Sequence, residues 1–285
     1  MADVVAVLGA GTMGRGIAQV AAQAGHDVRL RDVDPRQLNA ALANIKATLD
    51  KGVQLGKVTP TAASAALERI RLQTDPRAAV QGAGWVIEAV PEILELKRTV
   101  FREIEGHVDP DAVLATNTSS LSIAKIADAT NDPTRVVGLH FFNPPHLLKL
   151  LEIVTGPRTR PDVVARSVAF AKGLGKDPIV VKDSPGFASS RLGVVLGLEA
   201  IRMLEQGVAS AGDIDKAMEL GYQHPMGPLK LTDLVGLDVR LAIAEHLHAE
   251  FGGDQYQPPE LLRSLVREGK LGKKAGAGFY SYKNP

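Results

Sequence analysis

Short apolar runs alternate with helical patterns over the first 184 residues of the chain. Strands are predicted by runs rich in β-branched residues, which occupy residues 4–8, 27–31, 70–72, 85–90, 112–116, 136–139, 147–154 and 178–181. Helices are predicted where apolar residues recur every three or four positions, in residues 17–24, 35–57, 60–69, 93–106, 123–129 and 162–174. Strands that alternate with helices form a parallel sheet covered on both faces. The sequence therefore predicts an α/β first domain with a doubly wound sheet.

The pattern changes at residues 183–186, a Ser-Pro-Gly segment after which only helices are predicted. We place a hinge there, which divides the chain into domains of residues 1–184 and 185–285, the second of them all-α. Its predicted helices cover residues 187–205, 213–220, 229–251 and 259–268. The first of these is apolar on nearly every face, a pattern typical of a helix buried on all sides, and it suggests a subunit interface.

The glycine-lysine segment at residues 272–280 ends in Phe279 and Tyr280. A flexible tail would leave both aromatic rings in water, at an unfavourable cost. We therefore expect this segment to dock on the helical domain.

Composition excludes several classes of protein. Lys and Arg number 33 against 32 Asp and Glu, so the chain lacks the basic surface that a nucleic-acid-binding protein needs. It has no cysteine, which excludes disulfides, thiolate metal sites and cysteine nucleophiles, and no metal site is predicted. The N-terminus lacks the basic segment of a signal peptide, and no apolar run is long enough to span a bilayer. We expect a cytoplasmic protein without a nucleic-acid or membrane partner.

A glycine motif stands between the first predicted strand and the first predicted helix. Gly9, Gly11 and Gly14 match G-x-G-x-x-G, in which the glycines allow a tight turn, close approach of a pyrophosphate, and packing of helix on strand. Asp32 follows at the end of the second strand, where an acidic side chain accepts the ribose hydroxyls of NAD. Arg31 beside it suits a 2′-phosphate, but Asp32 would repel that phosphate. The motif therefore favours NAD over NADP.

A histidine and a glutamate flank a predicted turn. His140 ends an apolar strand, the consecutive Pro144 and Pro145 force a turn, and Glu152 lies in the next apolar run. The turn brings His140 and Glu152 back within reach of each other. A carboxylate that holds a histidine fixes its tautomer and stabilises the imidazolium, which is the arrangement of a general base.

Short polar residues follow other strands at the same predicted sheet edge. Residues 117–120 read Asn-Thr-Ser-Ser, which is typical either of a helix N-cap or of a ligand contact, and both interpretations stay open. Glu92 lies at the same edge. Lys51 and Lys57 lie at the end of the long second helix. A lysine in such a place more often belongs to a solvent-exposed face than to a binding site.

Taken together, these residues resemble the short-chain L-3-hydroxyacyl-CoA dehydrogenases, including bacterial 3-hydroxybutyryl-CoA dehydrogenases. The resemblance covers nearly the whole chain and depends on residues 9–14 (GAGTMG), 88–92 (EAVPE), 117–121 (NTSSL), 139–144 (LHFFNP), 183–187 (DSPGF), 221–228 (GYQHPMGP) and 272–280 (GKKAGAGFY). It implies a Rossmann-like N-terminal domain, an all-helical C-terminal domain and a homodimer formed mainly through the latter.

The resemblance also implies a reaction: the NAD-dependent oxidation of a short-chain (S)-3-hydroxyacyl-CoA, such as 3-hydroxybutyryl-CoA, or the reverse reduction. His140 would remove the hydroxyl proton as hydride passes from C3 to NAD, Glu152 would orient His140, and Ser119 would hydrogen-bond the substrate oxygen. The positions implied to bind the cofactor are Gly9, Gly11, Thr12, Met13, Gly14, Asp32, Glu92, Lys97, Ser119, Asn143 and Lys274.

Three departures from the family pattern bear on the substrate. Ser190 replaces the asparagine that contacts the substrate carbonyl, and losing such a hydrogen bond costs about 10²–10³ in rate. The lysine expected to bind the CoA nucleotide falls on Leu55, which leaves Lys51 and Lys57 on either side as substrate-binding candidates.

The third departure is the sequence Asn-Pro-Pro-His at residues 143–146, which looks like relatives that oxidise free hydroxy acids, such as gulonate dehydrogenases. Lys149 instead resembles the CoA-dependent group. Three functions stay open at this point: an acyl-CoA dehydrogenase, a dehydrogenase of a hydroxy acid or alcohol without CoA, and a catalytically silent NAD-binding relative.

Overall fold

The computed structural model describes residues 3–282. The chain consists of two units, Met1–Ser184 and Pro185–Pro285. The first contains all eight strands of the sheet and the second is helical. The α/β fold class predicted from the sequence is confirmed.

The sheet of the first unit has the strand order β3-β2-β1-β4-β5-β6-β7-β8. The strands from β3 to β6 in that order are parallel, β7 runs antiparallel to β6, and β8 is parallel to β7. The strands are β1 (Val4–Leu8), β2 (Asp27–Arg31), β3 (Ile70–Gln73), β4 (Trp85–Glu88), β5 (Val113–Thr116), β6 (Val136–Phe141), β7 (Leu150–Thr155) and β8 (Asp177–Lys182). Strand order reverses beside β1, so the carboxyl ends of β1 and β4 border a crevice of the kind in which such sheets bind ligands.

Seven α-helices accompany these strands among the described residues of the first unit. They are α1 (Thr12–Gln23), α2 (Pro35–Gln54), α3 (Pro60–Glu68), α4 (Pro76–Val80), α5 (Leu94–Ile104), α6 (Ile123–Ala127) and α7 (Pro161–Gly173). The sequence pattern missed α4, whose five residues are too short to show a helical period. Its start is nevertheless visible in the sequence, because Asp75 caps the amide of Arg77 and Pro76 occupies the first position.

The second unit contains α8 (Ser189–Glu205), α9 (Ala211–Gly221), α10 (Pro228–Val235), α11 (Leu237–Phe251) and α12 (Glu260–Arg267). The single helix predicted over residues 229–251 is therefore wrong, because it is interrupted at Gly236. This glycine has φ of 105°, a conformation that L side chains rarely adopt and that ends α10. Apolar periodicity continues through the break, which explains why the pattern did not reveal it.

The glycine-lysine segment at residues 272–280 docks on the helical unit, as predicted. The carboxylate of Asp233 accepts hydrogen bonds from the backbone amides of Phe279 and Tyr280, at 2.9 and 3.0 Å, and from the Tyr282 hydroxyl. The Tyr280 hydroxyl donates to Asp215 at 2.7 Å. Burial and these carboxylates raise the pKa of both tyrosines above the ordinary value.

Helix α8 is not buried on every side within one chain. Val194, Leu198 and Ile201 belong to the core of the helical unit, whereas the side chain of Leu192 is 72% exposed. The helix therefore presents an apolar surface that its own unit does not cover. No helix in residues 3–282 has both the length and the apolar character needed to cross a membrane.

Candidate active site

The glycine loop follows β1 and opens α1, and its three glycines are required for different reasons. A Cβ on Gly9 would lie 2.7 Å from the carbonyl oxygen of Ala89, and one on Gly14 would lie 1.7 Å from that of Gly9. Neither position admits a side chain. A Cβ on Gly11 would meet no protein atom within 4 Å, so the space beside this residue is open.

The start of α1 has the features of a phosphate-binding site. Gly11 is its N-cap, and no side chain caps the helix. Uncapped amides at a helix start, together with the positive end of the helix dipole, attract an anionic group. Thr12 is exposed and Met13 is half-buried at this end of the helix. The backbone here fits the pyrophosphate of a dinucleotide.

Asp32 is held beside this loop at the end of β2. Its carboxylate accepts hydrogen bonds from the amide of Ala10 at 2.8 Å and from the amide of Asp34 at 3.1 Å. Arg31, in contrast, is buried, and its guanidinium approaches Glu103 at 3.8 Å. The negative side chain therefore stands at the loop, while the positive one points into the protein.

A fully buried ion pair lies beneath the ends of β4 and β5. The ammonium of Lys97 contacts Glu88 at 2.8 and 3.0 Å and donates to the backbone carbonyls of Val90 and Asn117. Glu88 also accepts a hydrogen bond from the Thr116 hydroxyl at 2.6 Å. Burial raises the pKa of the Glu88 carboxyl, against the opposing effect of Lys97.

This pair connects the two loops that follow β4 and β5, since Lys97 binds a carbonyl from each. Lys97 was expected to contact the cofactor, but its side chain is completely buried in this structure. Its observed contacts are those of a residue that positions both loops.

Glu92 joins the same two loops from the exposed side. Its Oε1 accepts hydrogen bonds from the Thr118 hydroxyl at 2.6 Å and from the Ser119 amide at 2.9 Å, and the Ser119 hydroxyl lies 3.3 Å away. Lys97 approaches the other oxygen of Glu92 at 3.4 Å. Residues 117–120 therefore form a loop held by the side chain of Glu92. They are not the N-cap of α6, a role that Ser122 fulfils.

His140 and Glu152 form the pair that the turn between them predicts. They are partners in the antiparallel register of β6 and β7, and Nδ1 of His140 lies 2.7 Å from Oε2 of Glu152. Glu152 is fully buried and His140 nearly so. Because β6 is parallel to β5, β4 and β1, His140 lies at the same carboxyl edge of the sheet as the glycine loop.

Two contacts hold this hairpin against the rest of the site. Asn117, after β5, accepts a hydrogen bond from the amide of Phe141 at 3.0 Å. Pro145, in the loop after β6, packs on Gly16 of α1, where a Cβ would lie 2.7 Å from the proline Cδ. Asn143 is exposed in the same loop. The loop that follows the strand of His140 is thereby attached to the helix that follows the glycine motif.

The remaining candidates belong to other elements of the chain. Lys51 is exposed in the last turn of α2, and Lys57 is exposed after the helix ends, on either side of the exposed Leu55. Ser190 is the second residue of α8 in the helical unit and is half-buried. Lys274, in the same unit, forms an ion pair with Asp238 at 2.7 Å.

Sequence reasoning assigned no role in the site to Glu88 or Thr116, and it considered Asn117 only as part of the segment 117–120. Glu88 terminates an otherwise apolar buried strand, and a charged residue in that place is a signal that could have been used. Thr116 carries no comparable signal, and the polar segment that begins at Asn117 does not reveal its bond to Phe141, because both contacts involve partners far away in the sequence.

Comparisons with known proteins identify the family of the chain. The family profile described as 3-hydroxyacyl-CoA dehydrogenase, NAD binding domain, matches residues 4–184, and the corresponding C-terminal domain profile matches residues 186–282. A probable 3-hydroxybutyryl-CoA dehydrogenase of Bacillus subtilis is 43% identical over 98% of this chain and 96% of its own. A 3-hydroxybutyryl-CoA dehydrogenase of Mycobacterium tuberculosis is 45% identical over 98% of each chain.

Among solved structures, the (S)-3-hydroxybutyryl-CoA dehydrogenase PaaH1 of Ralstonia eutropha superimposes with a TM-score of 0.95 at 39% identity, over 100% of both chains. Both family profiles and full-length relatives thus confirm the resemblance seen in the motifs, including a first domain that binds a nicotinamide dinucleotide. The chain belongs to the 3-hydroxyacyl-CoA dehydrogenase family.

Proposed function

We propose that this protein catalyses the NAD-dependent oxidation of a short-chain (S)-3-hydroxyacyl-CoA, such as 3-hydroxybutyryl-CoA, or the reverse reduction. The observation that supports this most directly is the hydrogen-bonded pair of His140 and Glu152 at the carboxyl edge of the sheet that also carries the glycine loop. The names of its full-length relatives support the choice of substrate.

In this reaction His140 acts as the general base. When Nδ1–H donates to the Glu152 carboxylate, the lone pair of the imidazole is on Nε2, which accepts the proton of the substrate 3-hydroxyl. The buried negative charge of Glu152 stabilises the imidazolium that results. The bound dinucleotide supplies the acceptor for the hydride that leaves C3. Ser119, held by Glu92, donates a hydrogen bond to the substrate oxygen.

We assign NAD as the cofactor in preference to NADP. The carboxylate of Asp32 is anchored at the glycine loop, where it can accept the ribose hydroxyls, and it would repel a 2′-phosphate. Arg31 is buried and directed at Glu103, so it offers no compensating charge. Gly9, Gly11, Thr12, Met13, Gly14, Glu92, Asn143 and Lys274 complete the proposed cofactor-binding set, with Lys97 acting through the loops it holds.

A second candidate is the same hydride chemistry on a hydroxy acid that carries no CoA. Ser190 favours it, because serine cannot span the distance that the family asparagine covers to the substrate carbonyl. Leu55 also favours it, because an exposed leucine takes the place of a CoA-binding lysine, although Lys51 and Lys57 lie on either side.

The decisive experiment is a spectrophotometric assay of NADH oxidation with acetoacetyl-CoA, free acetoacetate and the oxidised form of gulonate. Turnover of acetoacetyl-CoA with kcat/KM at least about 10⁴ M⁻¹s⁻¹, the lower end for enzymes acting on their own substrates, supports the first candidate. Preference for a free acid supports the second. Binding of NADH without turnover of any of the three would contradict both and indicate a silent relative.

We further propose that the protein is a homodimer formed through its helical unit and that it works in the cytoplasm. The apolar residues exposed on that unit include Leu192, Leu231, Leu234, Val235 and Val239. Several exposed apolar residues on one unit are typical of a subunit interface. Sedimentation analysis of the wild type and of Leu192→Glu tests this, since a charge in a buried interface should shift the dimer toward monomer. A wild-type monomer would contradict it.

A further inference from the structure

Lys176 is a half-buried cation whose contacts go to the turn between β6 and β7. Its ammonium donates hydrogen bonds to the backbone carbonyls of Pro145 and Leu148, the second at 2.8 Å. In the described part of the chain it forms no ion pair, and burial lowers its pKa. A charge that has lost part of its hydration is unfavourable unless hydrogen bonds replace the water, and here the two carbonyls do so.

The backbone of Lys176 is fixed by the end of α7. Gly175 has φ of 71°, and the amide of Lys176 donates to the carbonyl of Ala171 at 2.9 Å, a bond typical of a helix that ends on a glycine. The next amide, that of Asp177, donates to the carbonyl of Lys149 at 2.8 Å, where the pairing of β8 with β7 begins. The ammonium therefore reaches the turn from a rigid position.

The turn has few ties besides the ones that this ammonium supplies. Its own amides, those of Leu147 and Leu148, donate to the carbonyl of Pro144 at 3.0 and 3.1 Å, and both leucine side chains are exposed. Pro145 is buried and packs on Gly16 of α1. A hydrogen bond to the carbonyl of Pro145 therefore acts on the residue that docks the turn on the helix of the glycine motif.

We propose that Lys176 is a positioning residue for the reaction, which holds the turn closed and thereby keeps His140 in its working position. This inference rests on the proposed function, in which His140 is the general base. Pro145 follows His140 by five residues and Leu148 precedes Glu152 by four, so the ammonium contacts both arms of the hairpin that carries the pair. A misplacement of about 1 Å by a change far from the chemistry can cost roughly 10²-fold in rate.

The surroundings of Lys176 explain why a cation is needed there. It lies in a crevice of about 400 Å³ whose lining includes His146, Lys149 and Gly173 and contains no carboxylate. Burial and the charge of Lys176 lower the pKa of His146, so the charge has an unfavourable effect on its neighbour as well. An ammonium nevertheless offers three donors on one atom, which lets it bind two carbonyls at once, and an apolar side chain of the same length cannot.

The first test compares Lys176→Met and Lys176→Arg with the wild type in the reduction of acetoacetyl-CoA by NADH. Lys176→Met should lower kcat about 10- to 100-fold, with a smaller change in the dissociation constant of NADH, because the glycine loop and Asp32 are untouched. Lys176→Arg keeps the charge and its donors and should retain most of the activity. Lys172→Met, at an exposed lysine in the last turn of the same helix, should leave kcat unchanged.

Combination with His140→Gln distinguishes positioning of the base from a general loss of structure. If Lys176 acts through His140, Lys176→Met should lower kcat little further in the His140→Gln background, because the base is already missing. A fully additive loss, or wild-type kcat in Lys176→Met, would overturn the inference and leave the proposed function standing. Normal turnover in His140→Gln would overturn the proposed function and the inference with it.

Chemical rescue keeps the test decisive if Lys176→Met is unstable. Lys176→Ala removes the atoms of an n-propylammonium ion, and the crevice gives a small amine access to the vacated space. Added n-propylammonium should raise kcat of Lys176→Ala, whereas n-propanol at the same concentration should not, and the wild type should respond to neither. Failure of both Lys176→Arg and the added amine to restore kcat would overturn the inference.

Discussion

Pro145 packs directly on Gly16, with the proline Cδ only 2.7 Å from the place where a Cβ on the glycine would be. The first belongs to the loop after β6, the strand that carries His140, and the second to α1, the helix that opens within the glycine motif. This contact attaches the segment after the proposed general base, His140, to the helix that follows the proposed nucleotide-binding loop. It involves a rigid ring and a helix backbone, neither of which can move aside as a flexible side chain would.

Gly16→Ala should therefore destabilise the protein, although alanine is the better helix former. The added methyl group displaces the loop of Pro145, and overpacking of this kind costs about 1–3 kcal/mol. Urea unfolding measures the change in the free energy of unfolding. We expect kcat to fall as well, because displacement of the loop shifts the end of β6, where His140 lies.

Gly173→Ala is the matched control, because this helical glycine has no atom within 4 Å of its would-be Cβ. There the same substitution should stabilise by about 0.4–1 kcal/mol. A Gly16→Ala variant as stable and active as the wild type would show that the contact has no role.

His140→Gln should lower kcat by about 10²–10⁴, the usual contribution of a positioned base, and leave NADH binding intact. Glu152→Gln should also lower kcat, by a smaller factor, because the amide keeps a hydrogen bond to the ring but no longer stabilises the imidazolium. Single-turnover kinetics and NADH fluorescence titration separate chemistry from binding.

Glu95→Gln is the control for Glu152→Gln, because it removes the charge of an exposed glutamate and should leave kcat unchanged. Normal turnover in His140→Gln would exclude the histidine as the base.

Asp32→Asn should reduce the preference for NAD over NADP roughly tenfold to hundredfold, the factor that corresponds to about 1–3 kcal/mol of charge repulsion. Its amide oxygen still accepts the hydrogen bond from Ala10, so the loop should keep its conformation. The ratio of kcat/KM for the two cofactors is the measurement.

Asp50→Asn makes the same chemical change at a surface position away from the glycine loop. It should not change the ratio of kcat/KM for NAD and NADP. A wild type that prefers NADP would contradict the assignment.

Lys97→Met should cost about 3–5 kcal/mol of stability, because it leaves the Glu88 carboxylate buried without its counter-ion. The double variant Lys97→Met/Glu88→Gln should recover most of that loss, since no buried charge is left. Chemical denaturation of the single and double variants gives the coupling between the two residues.

The KM for NADH should rise in both variants, because the carbonyls of Val90 and Asn117 lose the ammonium that holds them. Equal stability of Lys97→Met and the wild type would show that the pair is not structural.

The helical unit should lose stability as pH rises above about 10, the ordinary pKa of tyrosine. Burial and the Asp215 and Asp233 carboxylates raise the pKa of Tyr280 and Tyr282 in the folded protein. The unfolded chain therefore releases these protons at a lower pH than the folded one, and their contribution to stability, fully present below pH 10, decreases as the pH rises.

Urea midpoints of the wild type and of Tyr282→Phe between pH 8 and 11 measure this effect, and the variant should show the shallower alkaline decline. Identical declines would contradict it.

Much of the site could be predicted from local sequence. The glycine motif is recognisable because strand, turn and helix are consecutive, and each glycine answers a local steric requirement. The pairing of His140 with Glu152 could be predicted because one turn joins the two strands that carry them. The docking of residues 272–280 followed from the cost of exposing two aromatic rings.

Other features required the folded chain. Lys97 shows its role only when α5 brings it under β4 and β5, where its charge is buried with Glu88. The helix break at Gly236 is a matter of backbone conformation that apolar periodicity does not record. Arg240 resembles any helix-surface arginine in the sequence, and only the packing of the helices around it buries it and leaves its Nε without a hydrogen-bond partner.

The difference between the features that the sequence predicted and those that required the folded chain has a physical reason. Apolar periodicity, turns and glycine motifs express forces between residues that are neighbours along the chain, so the order of residues was enough to determine them. Burial of a charge depends on which distant elements surround it, and the desolvation that sets its cost exists only after those elements have packed. The pairing of His140 with Glu152 belongs to the first class, whereas the buried contacts of Lys97 and Glu88 that hold the site in place belong to the second.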